Sequence, residues 1–221
     1  MKDFFKNNAG VLLLFTSSVL ISCYFLFTIH KHTLHLNINQ YVGNYTLDRF
    51  FYYITYLGDG LIAVFLLLIV LFYNVRLGIY TTFSFLSASL FSIGLKHLFF
   101  DDENRPFFIF NYINPQPLKL VDGVHEYIHN SFPSGHATQA FSIFMCLIFF
   151  TKNQTLKFTL FAIAVLTAFS RVYLSQHWLI DITVGSFIGF CFSVVYYFIF
   201  VHQNKFQNLN KSIFALRRGE I

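Results

Sequence analysis

The chain has 221 residues, 56% of them hydrophobic, 11% charged, and phenylalanine alone contributes 32. A soluble domain carries about 25% charged residues, so the composition excludes a water-covered globular domain and indicates one polytopic membrane domain over residues 1–221. The net charge of +5 does not imply a nucleic-acid partner, because its placement along the chain says more than its size.

The first ten residues are polar, and Val11 to Ile29 forms the first apolar run. Leu20-Ile21-Ser22-Cys23 is similar to a lipoprotein cleavage box, but the apolar run continues through Tyr24-Phe25-Leu26-Phe27, so a retained first span is expected. Residues 30–57 are mixed. They hold His30, His32 and His35, then the aromatic group Phe50 to Tyr53. Such a segment is expected to lie at the interface with aromatic anchors and wetted histidines.

Gly58-Asp59-Gly60 breaks the chain. Further spans are expected at about 61–73, 77–100, 136–150, 156–173 and 178–201, with a long polar loop over 101–135 at the outer face. A basic tail follows. Cys23, Cys146 and Cys191 all sit in apolar runs, which argues for packing residues rather than a disulfide framework.

Six crossings put both termini on one side. Nine basic residues fall on that side: Lys2, Lys6, Arg76, Lys152, Lys157, Lys205, Lys211, Arg217 and Arg218. Six fall on the other: Lys31, Arg49, Lys96, Arg105, Lys119 and Arg171. The positive-inside rule makes the termini cytoplasmic and brings loop 101–135 and the stretch 170–181 together at the outer face.

Ionisable residues at the edge of a membrane segment mark functional sites by default. Ser170 to Asp181 places Arg171, His177 and Asp181 together. If Trp178 onward is helical, His177 and Asp181 share a face, and the carboxylate can hold one imidazole nitrogen while the other attacks. An Arg/Asp pair at a helix end beside a histidine is the bland alternative. Ser134 is the expected N-cap of the helix that His136 opens, and free N–H groups at such an end favour an anion. With Lys96, Arg105 and Arg171 as cations and His136 and His177 beside them, the set suits a phosphate.

At this point the chain resembles the type 2 phosphatidic acid phosphatase superfamily. Pro133-Ser134-Gly135-His136 matches one family motif. Ser170-Arg171, five residues, His177, three residues and Asp181 match another. Lys96 with Arg105-Pro106 resembles the remaining motif, but with eight residues between lysine and arginine instead of six.

The resemblance covers about 58–200 and implies an all-α, six-span lipid phosphatase. In it His177 attacks phosphorus, Asp181 orients His177, and His136 protonates the leaving oxygen and then activates water. Lys96, Arg105, Ser134, Gly135 and Arg171 hold the phosphate oxygens. It implies no metal and no cofactor. The expected partners are membrane lipids and a lipid-phosphate substrate. Undecaprenyl diphosphate and lipid A phosphates are ranked above phosphatidate and phosphatidylglycerol phosphate. The expected location is a bacterial inner membrane with the site facing the periplasm or exterior.

Other readings are open to test. His125-Glu126-Tyr127-Ile128-His129 spells the H-E-x-x-H signature of zinc proteases, which needs a helix and a third ligand; here it sits in a loop. A non-catalytic lipid-binding protein could keep the motifs as a bare phosphate site. The soluble vanadium haloperoxidases share them by resemblance, but the apolar helices oppose that reading. Loop 101–135 is expected to be a lid, with Phe107, Phe108, Phe110, Tyr112 and Tyr127 packing on the membrane surface. Asp101-Asp102-Glu103 is expected to be a solvated turn.

Overall fold

The computed structural model describes residues 2–202 and 206–217, and all regular structure among them is helical. In order the elements are α1 (Lys2–Thr28), α2 (Lys31–Asn39), α3 (Tyr45–Ile54), a tight turn Thr55–Gly58, α4 (Gly60–Tyr73) and α5 (Val75–Phe99). A single turn α6 (Pro106–Phe108) runs into a wide turn Ile109–Ile113 inside an otherwise irregular loop. Then come α7 (Gly135–Phe150), α8 (Gln154–Tyr173), α9 (Leu179–Tyr197, continued to His202) and the short α10 (Ile213–Arg217).

Among the described residues four helices are long and apolar enough to cross a membrane: α1, α5, α8 and α9 with its extension. The segments Tyr45–Gly58 and Gly60–Tyr73 pass the same test together but bend by 62° at Asp59. The bend has a local cause. Asp59 is extended and its carboxylate accepts the Leu61 N–H at 2.9 Å, so it starts α4 afresh. Asn74 and Asn153 start α5 and α8 in the same way, accepting from Leu77 and Leu156. α7 has 16 residues, or about 24 Å at 1.5 Å per residue, short of a hydrocarbon core of about 30 Å.

α7 is the centre of the bundle. It is buried along most of its length, mainly through apolar side chains, and it packs on α5, α8 and α9. Its closest approach is to α9. A Cβ on Gly185 would lie 2.5 Å from the Ser134 carbonyl oxygen, and one on Gly189 2.5 Å from that of Thr138. Only glycine allows this contact, and it sets the end of α7 that carries His136 against the end of α9 that carries Asp181. On the outside, Phe27 and Leu61 are 90% and 83% exposed, as lipid-facing side chains are.

The polar start is part of α1 rather than a lead-in to it. The buried Lys157 ammonium binds the Asn7 carbonyl at 2.8 Å and the Asn8 side chain, tying α1 to the start of α8. At the same end Arg76 donates to the carbonyls of Phe200 and Val201, and Val75 N–H donates to Lys211. Lys205 and Arg218, counted in the charge asymmetry, lie outside the described residues. All three cysteines are free.

The segment 30–57 differs from a wetted interfacial stretch. His35 and Asn39 are buried, with α2 docked on the end of α8. Loop 101–135 also differs. Phe110 is buried against Trp178 and His35, whereas Tyr112 and Tyr127 are exposed, Tyr127 with its ring under Arg105.

Candidate active site

The turn between α8 and α9 carries the histidine. The carbonyl of Arg171 accepts the N–H of both Gln176 and His177, at 2.9 and 3.1 Å, so one residue anchors the turn and also supplies its guanidinium. Ser175 takes a left-handed φ of 55° to make the reversal.

His177 then stands just outside α9, because Trp178 is the N-cap. The expected placement of His177 and Asp181 on one helical face is therefore not the reason they meet. Asp181 is the third residue of α9, and its Oδ2 reaches back to the Trp178 N–H at 2.9 Å. That reach brings it 3.3 Å from His177 Nδ1.

The same Oδ2 accepts the hydroxyl of Ser131 at 2.5 Å. Asp181 is thus a buried carboxylate held by two donors and facing an imidazole. With Nδ1–H pointed at Asp181, the Nε2 lone pair faces Arg105 Nη1 at 3.5 Å. Burial first, and then the charges of Arg105, Arg171 and Lys96, hold the His177 imidazole well below its usual 6.5. It is neutral at physiological pH, the state a nucleophile needs.

The cations converge on the same place. Arg105 donates to the carbonyls of His129 at 2.8 Å, Gln176 at 3.0 Å and Asn130 at 3.3 Å. Lys96 donates to that Asn130 carbonyl at 2.8 Å. The eight-residue spacing therefore still brings Lys96 and Arg105 onto one atom, because Phe100 to Asn104 folds as a turn closed by Glu103 N–H on Phe100 O. Arg171 donates to Thr55 Oγ1 at 2.9 Å, and its Nε has no partner among the described residues. Burial lowers the Arg105 guanidinium to about 10, so it remains charged at neutral pH.

Ser134 caps α7, with its side chain accepting Ala137 N–H at 3.4 Å and its own N–H donating to the Asp181 carbonyl at 3.1 Å. The first-turn amides of α7, Gly135 and His136, are those a helix cannot pair internally. His136, Arg171, Thr55 and Gln176 line a cavity of about 240 Å³ with Tyr52, Tyr56 and Asp59. The structure thus brings together Lys96, Arg105, Ser134, Gly135, His136, Arg171, His177 and Asp181.

It adds Ser131, Thr55 and Gln176, which carry no motif of their own. Ser131, two residues before Pro133, sits where a short polar side chain could have been suspected. Thr55 and Gln176 gave no signal beyond closeness to the breaks at Gly58 and His177.

The H-E-x-x-H stretch does not form a metal site. Among the described residues no three His, Cys, Asp or Glu side chains are placed to hold a metal ion. Instead His129 Nδ1 pairs with Asn104, and the carbonyls of His125 and His129 hold Gln176 and Arg105. The stretch buttresses the Arg105 and Gln176 side chains through its backbone.

Residues 76–205 match the model of the PAP2 superfamily. An 89-residue stretch is 33% identical to undecaprenyl-diphosphatase BcrC of Bacillus subtilis, covering 37% of this chain and 45% of that protein. The chain therefore matches less than half the length of this relative. Among solved structures, LpxE of Aquifex aeolicus aligns with a TM-score of 0.64 at 26% identity, over 74% of this chain and 92% of that one. A transmembrane PAP2-type phosphatidylglycerolphosphate phosphatase of Bacillus subtilis aligns with a TM-score of 0.63 at 20% identity, over 91% and 99%; this second likeness concerns the fold.

Proposed function

The chain belongs to the PAP2 superfamily, and on that premise we propose that it is an integral-membrane lipid phosphatase working through a phosphohistidine. The observation that carries the reading is the buried His177–Asp181 pair, 3.3 Å apart, facing Arg105 and flanked by the capped end of α7.

The reaction divides into two displacements. His177 Nε2 forms a bond to phosphorus as the bond to the leaving oxygen breaks, and His136 gives that oxygen a proton. Water then attacks phosphorus, the P–N bond breaks, and the water's proton goes to His136, releasing inorganic phosphate. Asp181 holds the Nδ1 proton and stabilises the charge that His177 gains. Charge on the equatorial oxygens meets Lys96, Arg105, Arg171, the Ser134 hydroxyl and the first amides of α7. The side chains supply the positive charge, so neither metal nor cofactor enters a step.

A lipid substrate follows from the surroundings. The site opens beside helices whose outer faces are apolar, and an apolar cleft of about 100 Å³ lies between α1, α8 and α9, reaching Leu179 two residues from His177. Taking α7, short but enclosed by α5, α8 and α9, as a crossing beside α1, the bent α3–α4 pair, α5, α8 and α9 makes six, with the termini cytoplasmic and the site facing the exterior of a bacterial inner membrane. That location favours undecaprenyl diphosphate and lipid A phosphates over phosphatidate and phosphatidylglycerol phosphate.

The test is phosphate release in detergent from those four lipids with excess chelator, beside His177→Ala. Chelator-resistant release that vanishes in the variant is expected. Release that survives His177→Ala, or no release from any of the lipids, would refute the reading.

A further inference from the structure

The chain leaves α5 at Phe99 and turns through Phe100 to Asn104 before it reaches Arg105. This turn pairs with the end of the loop. Arg105 N–H donates to the Ile128 carbonyl at 3.0 Å, and Ser131 N–H donates to the Glu103 carbonyl at 2.9 Å. The segment 128–131 is where the site is assembled. The His129 and Asn130 carbonyls hold Arg105, the Asn130 carbonyl also holds Lys96, and the Ser131 hydroxyl holds Asp181.

Asn130 is the unusual member. Its φ of 59° is left-handed, a region that costs most side chains free energy and asparagine less than others. In that conformation its one carbonyl oxygen takes Lys96 Nζ at 2.8 Å and Arg105 Nη2 at 3.3 Å. Two like charges share a single acceptor, so its position governs where both of them stand.

The Asn130 side chain is held in turn. It faces two oxygens of Asp101, which puts its amide nitrogen on that side. The nitrogen donates to Asp101 Oδ1 at 2.9 Å and to the Asp101 carbonyl at 3.1 Å. Asp101 Oδ1 also lies 3.3 Å from His97 Nδ1, in the same last turn of α5 that carries Lys96. Asp101 is therefore tied to both segments that present the cations. Asp102, its neighbour, is exposed and has no such tie among the described residues.

We propose that Asp101 is a positioning residue for phosphate binding, which through Asn130 fixes the carbonyl that gathers Lys96 and Arg105, so that both cations meet one phosphate. This rests on the phosphatase reading above. Asp101 touches neither the substrate nor the reacting atoms. Lysine and arginine stems have many rotamers, and a fixed acceptor selects among them before the substrate arrives. The proposal also has a sign that simple charge does not share. A carboxylate near an anionic substrate repels it, so its removal would speed the reaction if charge were all that mattered. Loss of the tie slows it.

The experiment measures kcat/KM for phosphate release from the fastest of the four lipids named above, and the inhibition constant of inorganic phosphate, both in detergent. Asp101→Ala should lower kcat/KM by about ten-fold, short of the roughly 10²–10³ for outright loss of a donor, and weaken inhibition by phosphate by a similar factor. Asp101→Asn should restore most of the rate, because its amide oxygen still accepts from Asn130. Asn130→Gly keeps the left-handed backbone and loses the tie, so it should resemble Asp101→Ala. The double variant should be no slower than the slower single one, since both changes remove the same interaction. Asp102→Ala deletes an equal charge next door and should not slow release.

Asp101 is exposed, so these variants are expected to melt with the wild-type protein. Wild-type values in Asp101→Ala would overturn the positioning role. So would an Asp101→Asn variant as slow as Asp101→Ala, additive losses in the double variant, or an equal loss in Asp102→Ala. Each of these leaves the phosphatase reading intact. No release from any lipid by the wild-type protein, or release unaffected by His177→Ala, would remove that reading and this role with it.

Discussion

Arg105 offers the sharpest test of the proposed mechanism, which has it act on both the phosphate and the nucleophile. Its guanidinium stands 3.5 Å from His177 Nε2 and is held by three backbone carbonyls. Arg105→Gln removes one cation from the equatorial oxygens. Loss of a single such donor elsewhere costs about 10²–10³ in rate, or about 2.7–4 kcal/mol.

The substitution has a second, separable consequence. Arg105 is the largest of the charges that hold the His177 imidazole below 6.5, after burial itself. Without it the protonated imidazole is less disfavoured, so His177 takes up a proton at higher pH. Only the neutral form attacks. The acidic limb of kcat/KM, read from phosphate release between pH 4 and 8, should therefore move toward neutral pH in Arg105→Gln. The substrate's own titration is common to both proteins and cancels in the comparison. A rate loss with an unmoved or more acidic limb would refute the placement of this charge against the nucleophile.

Three further expectations follow from other parts of the molecule. Ser131→Ala removes one of the donors to Asp181 Oδ2; with a charged hydrogen bond worth about 1.5–3 kcal/mol, kcat should fall by about ten-fold or more while KM changes little, and an unaltered kcat would contradict the role. Gly185→Ala places a Cβ 2.5 Å from the Ser134 carbonyl and so pries His136 from Asp181, with an expected overpacking cost of about 1–3 kcal/mol; wild-type activity and melting temperature would show that α7 and α9 need not meet so closely. Burial holds the His35 imidazole down to about 4 in the folded protein, whereas the unfolded chain protonates near 6.5. Stability should thus be lost as pH falls from about 6.5 to about 4, by about 3 kcal/mol at the end of that window. His35→Gln should flatten this part of the melting-temperature profile in detergent, and an unchanged slope would refute it.

The sequence was most readable where chemistry constrained residue type. Lys96, Arg105, His136, Arg171, His177 and Asp181 are ionisable groups in a chain with few of them, and their cost in an apolar setting singles them out before any coordinate is known. The helices were legible for a related reason, since apolar runs and the expected cap Ser134 are local signals; the caps at Asp59, Asn74 and Asn153 emerged with the structure.

What escaped was non-local or backbone-borne. Ser131 reaches Asp181 across 50 positions, and although it lies two residues before Pro133, no side-chain pattern names Asp181 as its partner. The H-E-x-x-H stretch was legible as a motif and misleading as one, because its contribution is two carbonyl oxygens, which no side-chain pattern encodes. The His177–Asp181 pairing was expected for a different geometric reason from the one found: the N-terminal turn of α9 folds Asp181 back onto Trp178, so a spacing of four arises outside the helix. The buried state of His35 was hidden because α2 is short and polar in composition, and only docking on α8 against Phe110 and Trp178 makes it part of the core.

The central claim is that phosphate passes through His177. Rapid acid-avoiding quench of the protein with lipid bearing a radiolabelled terminal phosphate, followed by peptide mapping, tests it directly. The account predicts an acid-labile, alkali-stable label on the peptide carrying His177, absent from His177→Ala. Label on another residue, or an undiminished label in His177→Ala, would contradict it.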